Sequence, residues 1–133
     1  MMGATITEIA YYLPETVVDN RQLEQEFSDW SAAKIEAKVG IRKRHIAAVH
    51  ETALDLAYHV AQQVLSEFDK TQIDFLILCT QSPEYYLPTT ACILQDKLGL
   101  HTGVGAFDFN LGCSGYVYGL AIAKGLINTG IAA

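Results

Sequence analysis

Residues 104–127, VGAFDFNLGCSGYVYGLAIAKGLI, contain a short apolar segment, a turn of small residues and a long apolar segment. The first segment, 104–109, has the length and composition of a buried strand. Glycines and a serine between residues 111 and 116 supply the small side chains that a tight strand-to-helix turn needs. The last segment, 113–127, predicts a helix that is apolar nearly all round, which favours burial in a protein larger than this chain.

Upstream of this stretch, strand patterns alternate with helix patterns. A helix opens at Thr52, because apolar residues then recur at the i, i+3, i+4 spacing as far as Phe68. The apolar run 73–79 predicts a strand buried on both faces. The other predicted elements are a strand over 4–13 ended by Pro14, a helix from Asp19 or Asn20 to Phe27, a helix from Ser31 to Gly40, a strand over 41–46, and a helix from Pro88 to Leu98 before Gly99.

This alternation predicts an α/β fold with a mixed, mostly parallel sheet and helices on both faces. A further strand should follow the last helix, so we expect the sequence to continue beyond Ala133. The chain has 133 residues, 50% of them hydrophobic and 18% charged, which suits one globular domain with a sizeable core.

Charge and segment composition exclude several classes of protein. The formal net charge of −6 argues against nucleic acid as the main partner, because phosphate binding needs a basic face. No stretch approaches the roughly 20 apolar residues of a membrane helix. The first thirty residues lack the basic start and apolar run of an export signal. We therefore expect a cytoplasmic protein.

Cys113 is the candidate nucleophile. It lies where the last helix begins, and the unpaired N–H groups and dipole of a helix N-terminus favour a thiolate there. A buried thiol at the end of a tunnel would suit attack on an acyl thioester. The alternative is that Cys113 is a small core residue, since free cysteine is often buried. For Cys79 and Cys92 the core interpretation is favoured.

The remaining cysteine and histidine positions do not indicate a metal site. The sequence has no C-x-x-C and no cysteine–histidine pair at zinc-finger spacing. The four histidines are expected at the surface or in packing roles. They are His45, His50, His59 and His101. The sequence therefore offers Cys113 no evident general base.

Basic residues cluster between positions 34 and 44. Five of the nine in the chain lie there: Lys34, Lys38, Arg42, Lys43 and Arg44. In an acidic protein such a cluster favours a site for a phosphate-bearing ligand or an acidic partner. Trp30, beside it, is placed to stack on a planar base. The alternative is a solvated helix face with an ordinary half-buried tryptophan.

Four motifs together resemble the amino-terminal part of the 3-oxoacyl-(acyl-carrier-protein) synthase III family, in the thiolase superfamily. They are Gly40-Ile41-Arg42-Lys43-Arg44-His45-Ile46-Ala47, Pro88-Thr89-Thr90-Ala91-Cys92, Ala106-Phe107-Asp108 and Cys113-Ser114-Gly115-Tyr116-Val117-Tyr118-Gly119-Leu120. Their order and spacing cover essentially the whole chain. The resemblance implies that residues 1–133 are the amino-terminal domain, in part, of a thiolase-like αβαβα fold, with the helix after Cys113 buried between two sheets.

The resemblance also implies an acyltransferase. Cys113 would be acylated by an acyl-CoA primer, and the acyl group would condense with malonyl-acyl-carrier protein, losing carbon dioxide. The CoA thioester and the carrier protein's phosphopantetheine are then substrates, and no separate cofactor or metal is expected. The family's catalytic histidine, asparagine and oxyanion N–H belong to its carboxy-terminal half, so this chain alone is expected to be inactive.

The resemblance implies binding roles for four further residues. The family forms homodimers, in which the residue matching Leu87 reaches towards the partner's acyl pocket. Lys38 matches a basic position, and with Arg42 it is a candidate for contacting the CoA nucleotide or its phosphate. Trp30 lies farther from the Gly40 motif than the stacking tryptophan of many relatives, which makes Lys38 the better candidate.

Two other interpretations remain open. One is a different condensation in the same superfamily, such as hydroxymethylglutaryl-CoA synthesis or ketide formation. The other is a non-catalytic association module that binds a partner through exposed apolar faces. A natural stop codon after Ala133 would favour the module, and continuation of the reading frame would favour the enzyme.

Overall fold

The computed structural model describes residues 3–133, and the chain divides into two compact units. The smaller unit comprises residues 13–51. The larger comprises residues 3–12 together with residues 52–133. Each unit is described by itself. The prediction of one partial thiolase-like domain over 1–133 stays a prediction.

The smaller unit pairs two strands and carries two helices. The elements are β1 (Thr16–Asp19), α1 (Asn20–Glu26), α2 (Ala32–Val39) and β2 (Lys43–Ile46). The strands are antiparallel, with Thr16 opposite Ile46 and Asp19 opposite Lys43. The predicted helices and the basic strand are therefore confirmed, while β1 was not predicted.

Local chemistry sets the bounds of these helices. The Asp19 carboxylate accepts from the Gln22 N–H at 2.9 Å, and the Gln22 side chain accepts from the Asp19 N–H at 2.8 Å. Ser31 caps α2 by accepting from the Lys34 N–H. Gly40 ends α2 with φ +70°, a left-handed conformation that glycine adopts without a Cβ penalty.

The larger unit contains a β–α–β crossover followed by a helix. Its elements are α3 (Ala53–Leu65), a 3-10 turn (Lys70–Gln72), β3 (Phe75–Cys79), α4 (Thr90–Lys97), β4 (Gly105–Phe109) and α5 (Gly115–Asn128). The strands β3 and β4 are parallel neighbours, with Phe75 opposite Gly105 and Cys79 opposite Phe109. The predicted strands and helices of this half are confirmed within a few residues at each end.

Helices cover both faces of the β3–β4 sheet. Side chains alternate between the faces along a strand. Leu76 packs against a core cluster formed by Leu94 of α4 and by three residues that follow this helix, Leu98, Leu100 and Val104. In contrast, the Cys79 thiol meets the first residue of α5, and the Phe109 ring lies against Gly119 of the same helix. The predicted arrangement of helices on both faces therefore holds for this sheet.

One expectation about the apolar segments is wrong for this chain. Residues 4–13 form no strand, because a strand needs a hydrogen-bonded neighbour and none pairs with them within residues 3–133. The side chains of Tyr116, Val117 and Tyr118 on α5 are about two-thirds exposed in this chain, and their burial in a larger protein stays a prediction. The described residues supply a sheet on one side of α5 and none against these side chains.

No helix within residues 3–133 has the length and apolar character that crossing a membrane requires.

Candidate functional site: an exposed thiol at a strand-to-helix turn

Cys113 lies in the turn between β4 and α5, two residues before the helix begins. The turn is closed by a hydrogen bond from the Gly115 N–H to the Gly112 carbonyl, at 2.8 Å. The thiol is exposed. The predicted position at a strand-to-helix turn is confirmed, and the predicted enclosure in a tunnel is not met by this chain, because the described residues build no wall over the turn.

The start of α5 has backbone N–H groups that no side chain caps. Ser114 is the N-cap residue, with φ −82° and ψ −5°, and its side chain makes no capping hydrogen bond. A helix N-terminus in this state favours an anion nearby, through its unpaired N–H groups and its dipole. Cys113 therefore lies in the turn just before a helix N-terminus that no side chain caps.

Cys79 contacts this turn from the end of the neighbouring strand. A Cβ added to Gly115 would lie 2.4 Å from the Cys79 Sγ, so the glycine leaves room for the thiol. The Cys79 thiol also donates to the Leu111 carbonyl at 3.5 Å. Sequence analysis missed this role, because nothing in a single sequence pairs residues from adjacent parallel strands.

The core interpretation of Cys79 and Cys92 is wrong, since both side chains are exposed. Cys79 is the last residue of β3, where the sheet ends. Cys92 lies in the first turn of α4, whose buried residues are Thr90, Ala91 and Leu94. Its thiol donates to the Ala106 carbonyl at 3.7 Å and accepts from the Thr89 hydroxyl at 3.3 Å.

Asp108, the fourth of the five residues of β4, belongs to one of the four motifs, but sequence analysis assigned it no role. Its carboxylate accepts hydrogen bonds from the N–H groups of Thr90 and Ala91 at 2.7 and 2.5 Å, so it caps α4 from the neighbouring strand. Thr90 is fully buried, and its hydroxyl accepts from the Glu84 N–H. An aspartate inside an otherwise apolar strand was the available signal, because a carboxylate in such a place needs donors.

Leu87 lies in the loop that Asp108 and Thr90 anchor. The side chain is 81% exposed, and the neighbouring Tyr86 is fully exposed. The peptide bond between Leu87 and Pro88 is cis. The loop therefore presents apolar side chains outward, as a residue that meets an acyl chain or another subunit would need.

In the smaller unit, the basic residues are differently engaged. The Lys34 ammonium lies 4.5 Å from the centroid of the Trp30 ring, so it covers one face of that ring. Trp30 is 43% exposed. Arg42 pairs with Glu36 at 2.6 Å. Within residues 3–133 Lys38 has no ion-pair partner.

A groove of about 350 Å³ runs beside this cluster. It is lined in part by Asn20, Glu36, Arg42 and Lys43. The Asn20 side chain accepts from Arg44 at 2.6 Å and donates to the Ile41 carbonyl, which fixes β2 against α1. The basic cluster is therefore an ordered surface, because hydrogen bonds through Asn20 hold β2 and α1 together.

Two histidines have packing roles, as predicted. The His45 ring nitrogen Nδ1 lies 2.6 Å from the Pro14 carbonyl, and the His59 ring stacks on Tyr12 with centroids 4.7 Å apart. No group of three histidine, cysteine, aspartate or glutamate side chains in the described part of the chain is arranged to hold a metal ion.

Comparisons with known proteins give a consistent result, although no protein-family model matches the chain. Beta-ketoacyl-[acyl-carrier-protein] synthase III of Xylella fastidiosa (strain Temecula1 / ATCC 700964) is 42% identical over 129 residues, covering 96% of this chain and 39% of the relative. A crystal structure of a 3-oxoacyl-(acyl-carrier-protein) synthase III superposes with a TM-score of 0.85 at 56% identity, covering 96% of this chain and 38% of that one. A 3-oxoacyl-(acyl-carrier protein) synthase of Burkholderia xenovorans LB400 gives a TM-score of 0.82 at 34% identity, covering 90% of this chain and 35% of that one.

The fold is therefore a thiolase-like α/β fold, as predicted. In sequence and structure the chain is similar to part of a beta-ketoacyl-[acyl-carrier-protein] synthase III, which confirms the resemblance that the four motifs indicated. The chain spans about two-fifths of the length of the curated relatives that it matches, 39% in the case of the Xylella protein.

Proposed function

We propose that this chain is the part of a beta-ketoacyl-acyl-carrier-protein synthase III that supplies the acyl-accepting nucleophile, Cys113. The observation that carries the proposal is the position of the thiol. It is exposed in a turn at an uncapped helix N-terminus, within a chain whose fold matches that of a 3-oxoacyl-(acyl-carrier-protein) synthase III over 96% of its length. The reaction class, 3-oxoacyl-acyl-carrier-protein synthesis, is taken from the names of the similar proteins.

The first half-reaction transfers an acyl group to sulfur. The Cys113 thiolate attacks the carbonyl carbon of an acyl-CoA thioester, and the tetrahedral intermediate collapses with loss of the CoA thiolate, which takes up a proton. The product is an acyl-Cys113 thioester and free CoA. The nucleophile lies in the turn before α5, and its exposure leaves the sulfur open to the thioester.

The second half-reaction forms the carbon–carbon bond. Malonyl-acyl-carrier protein loses carbon dioxide, and the carbanion equivalent attacks the acyl carbonyl on Cys113. The carbon–sulfur bond breaks, so that 3-oxoacyl-acyl-carrier protein leaves and the Cys113 thiolate returns. By the family resemblance, the histidine and asparagine for this step lie outside these 133 residues, so the chain alone would not complete it.

Substrate binding is assigned to the basic surface and to Leu87. Lys38, which has no ion-pair partner in the part of the chain that the structure describes, would contact a phosphate of CoA together with Arg42. Trp30 would stack through the ring face that Lys34 leaves open. Exposed Leu87 would contact an acyl pocket of a second subunit in a homodimer. CoA and the carrier protein act as substrates, and the enzyme needs no other cofactor and works in the cytoplasm.

The test uses the full-length protein that carries this chain. Acetyl-CoA and malonyl-acyl-carrier protein are supplied, and 3-oxobutanoyl-acyl-carrier protein is measured by mass spectrometry. The wild-type protein is expected to form it, and Cys113→Ala is expected to lose the activity. Cys92→Ala is the matched control, because Cys92 is equally an exposed free thiol but lies in α4.

Two results would overturn the proposal. One is product formation by Cys113→Ala at the wild-type rate. The other is absence of product with every acyl-CoA from two to eight carbons, tested with a carrier protein that an authentic synthase III accepts. If acylation occurs but a different acceptor replaces malonyl-acyl-carrier protein, the reaction belongs to another condensation of the superfamily, and the proposed substrate is wrong.

A further inference from the structure

We propose that Cys79 is a positioning residue for Cys113, because its thiol holds both ends of the turn that carries the nucleophile. The proposal rests on the proposed function, in that Cys113 is taken as the acyl acceptor. Cys79 does not react itself. Its contacts fix the position of the Cys113 sulfur relative to the start of α5.

The first contact is steric. Gly115 is the first residue of α5 and is buried. An ideal Cβ built on it would lie 2.4 Å from the Cys79 Sγ and 3.8 Å from the Cys79 Cβ. Real Cβ atoms do not approach sulfur so closely, so the thiol occupies the volume that any larger residue at position 115 would need.

The second contact is polar. The Cys79 thiol donates to the Leu111 carbonyl at 3.5 Å, at the other end of the turn. Leu111 and Gly115 each lie two residues from Cys113. One sulfur atom therefore touches the residues on both sides of the nucleophile at equal separation along the chain.

The strand carries Cys79 to this place. Cys79 ends β3 opposite Phe109, the last residue of β4 in the parallel register. Both residues point to the α5 side of the sheet, where Phe109 meets Gly119. The ends of the two strands thus pack against the first turns of α5, Cys79 at Gly115 and Phe109 at Gly119.

This arrangement has a kinetic consequence. A misplacement of about 1 Å in a reacting group costs about 100-fold in rate. A change at Cys79 that lets the turn relax should therefore slow acylation of Cys113. It should leave the affinity for acyl-CoA unchanged, because Cys79 has no place among the proposed CoA-binding residues.

The experiment uses the full-length protein with five variants. Cys79→Ala removes both contacts, and Cys79→Ser keeps a donor while filling less volume. Gly115→Ala introduces the clash, and Gly115→Ala with Cys79→Ala removes it again. Gly125→Ala is the matched control in the same helix, because a Cβ there meets nothing within 4 Å.

Two rates are measured at Cys113: acylation by acetyl-CoA and alkylation by iodoacetamide. Trypsin reports them separately from the other thiols, because residues 98–124 form one tryptic peptide that contains Cys113 and neither Cys79 nor Cys92. The unfolding temperature of each variant is recorded, so that loss of structure is separated from loss of position.

Cys79→Ala is expected to lower the maximal acylation rate about tenfold, with the half-saturating acetyl-CoA concentration unchanged. This loss is smaller than the roughly 100-fold given above, because the turn is expected to shift by less than about 1 Å. Cys79→Ser should recover part of this loss. Gly115→Ala should lose about 100-fold, and the double variant should react faster than Gly115→Ala alone, because contacting residues are coupled. Gly125→Ala should match the wild type.

The proposal is wrong if Cys79→Ala, folded, acylates and alkylates Cys113 at wild-type rates. It is also wrong if the losses of Gly115→Ala and Cys79→Ala simply add. Its failure is distinguishable from failure of the proposed function. If no acyl group reaches Cys113 in the wild type, but alkylation follows the expected order of variants, the positioning role stands and the acyltransferase role does not.

Discussion

Asp108 in β4 caps the helix that begins at Thr90, with 2.7 Å between the carboxylate oxygen and the Thr90 nitrogen. The same carboxylate accepts from the Ala91 N–H. Thr89, the N-cap residue by position, makes no side-chain capping hydrogen bond. The cap of α4 is thus supplied by a neighbouring strand, and it ties together β4, which leads to Cys113, and the loop that carries Leu87.

Asp108→Asn is expected to destabilise the protein. The amide keeps one acceptor oxygen but places an NH₂ group against a backbone N–H, so one buried donor loses its partner. Hydrogen bonds to a charged group contribute about 1.5–3 kcal/mol, and the free energy of unfolding in urea should fall by about that amount. Asp96→Asn, on the same helix but outside the cap, is the control. An equal effect of the two substitutions would contradict the capping role.

Asp55 is expected to give the protein an acid-sensitive contribution to stability. Hydrogen bonding to Lys97 first, and then to Thr52, lowers the pKa of Asp55 from 3.8 to about 2. The Lys97 ammonium lies 2.8 Å from the carboxylate. Because the folded-state pKa is depressed, the contribution is fully present above about pH 4 and is lost as the pH falls towards 2.

The size of this contribution is limited by solvent. Both side chains of the pair are slightly more than a third exposed, at 34% for Asp55 and 39% for Lys97. The ion pair is therefore expected to contribute up to about 1 kcal/mol to the free energy of unfolding. Asp55→Asn should lower the free energy of unfolding at pH 6 and have a smaller effect at pH 2.5. In a Lys97→Met background that difference between pH values should shrink. A pH-independent effect would rule out the ion pair as its source.

Gly40→Ala is expected to destabilise the smaller unit through the backbone alone. Gly40 has φ +70°, and a Cβ there would meet nothing within 4 Å, so no clash contributes. The left-handed conformation costs a non-glycine residue about 1–2 kcal/mol. Gly40→Asn should cost less, because asparagine tolerates this conformation better. Equal losses for alanine and asparagine, measured by urea unfolding, would mean that something other than φ is responsible.

Helices whose capping residues are local in sequence were predictable. Ser31 and Gly40 bound α2, and Thr52 opens α3 with a capping box to Asp55, all through contacts within a few residues. The position of Cys113 was predictable for the same reason, since glycines on either side of it define a turn. Local chemistry was sufficient in these places.

Pairings between distant residues were not predictable. Strand β1 exists because Thr16 meets Ile46, and the apolar residues 4–13 lack such a neighbour among the described residues. The charge on Arg42 is shared with Glu36, and one face of Trp30 is covered by Lys34. The contact between Cys79 and Gly115 depends on parallel register, which a single sequence does not reveal.

The mass of the tryptic peptide 98–124 after brief incubation of the full-length protein with acetyl-CoA tests the central assignment most directly. We predict that this peptide gains one acetyl group, that hydroxylamine removes it as expected for a thioester, and that Cys113→Ala abolishes it while Cys92→Ala does not. An unmodified peptide 98–124 in a protein that is nonetheless acetylated on residues 71–97, which contain both other cysteines, would contradict the account.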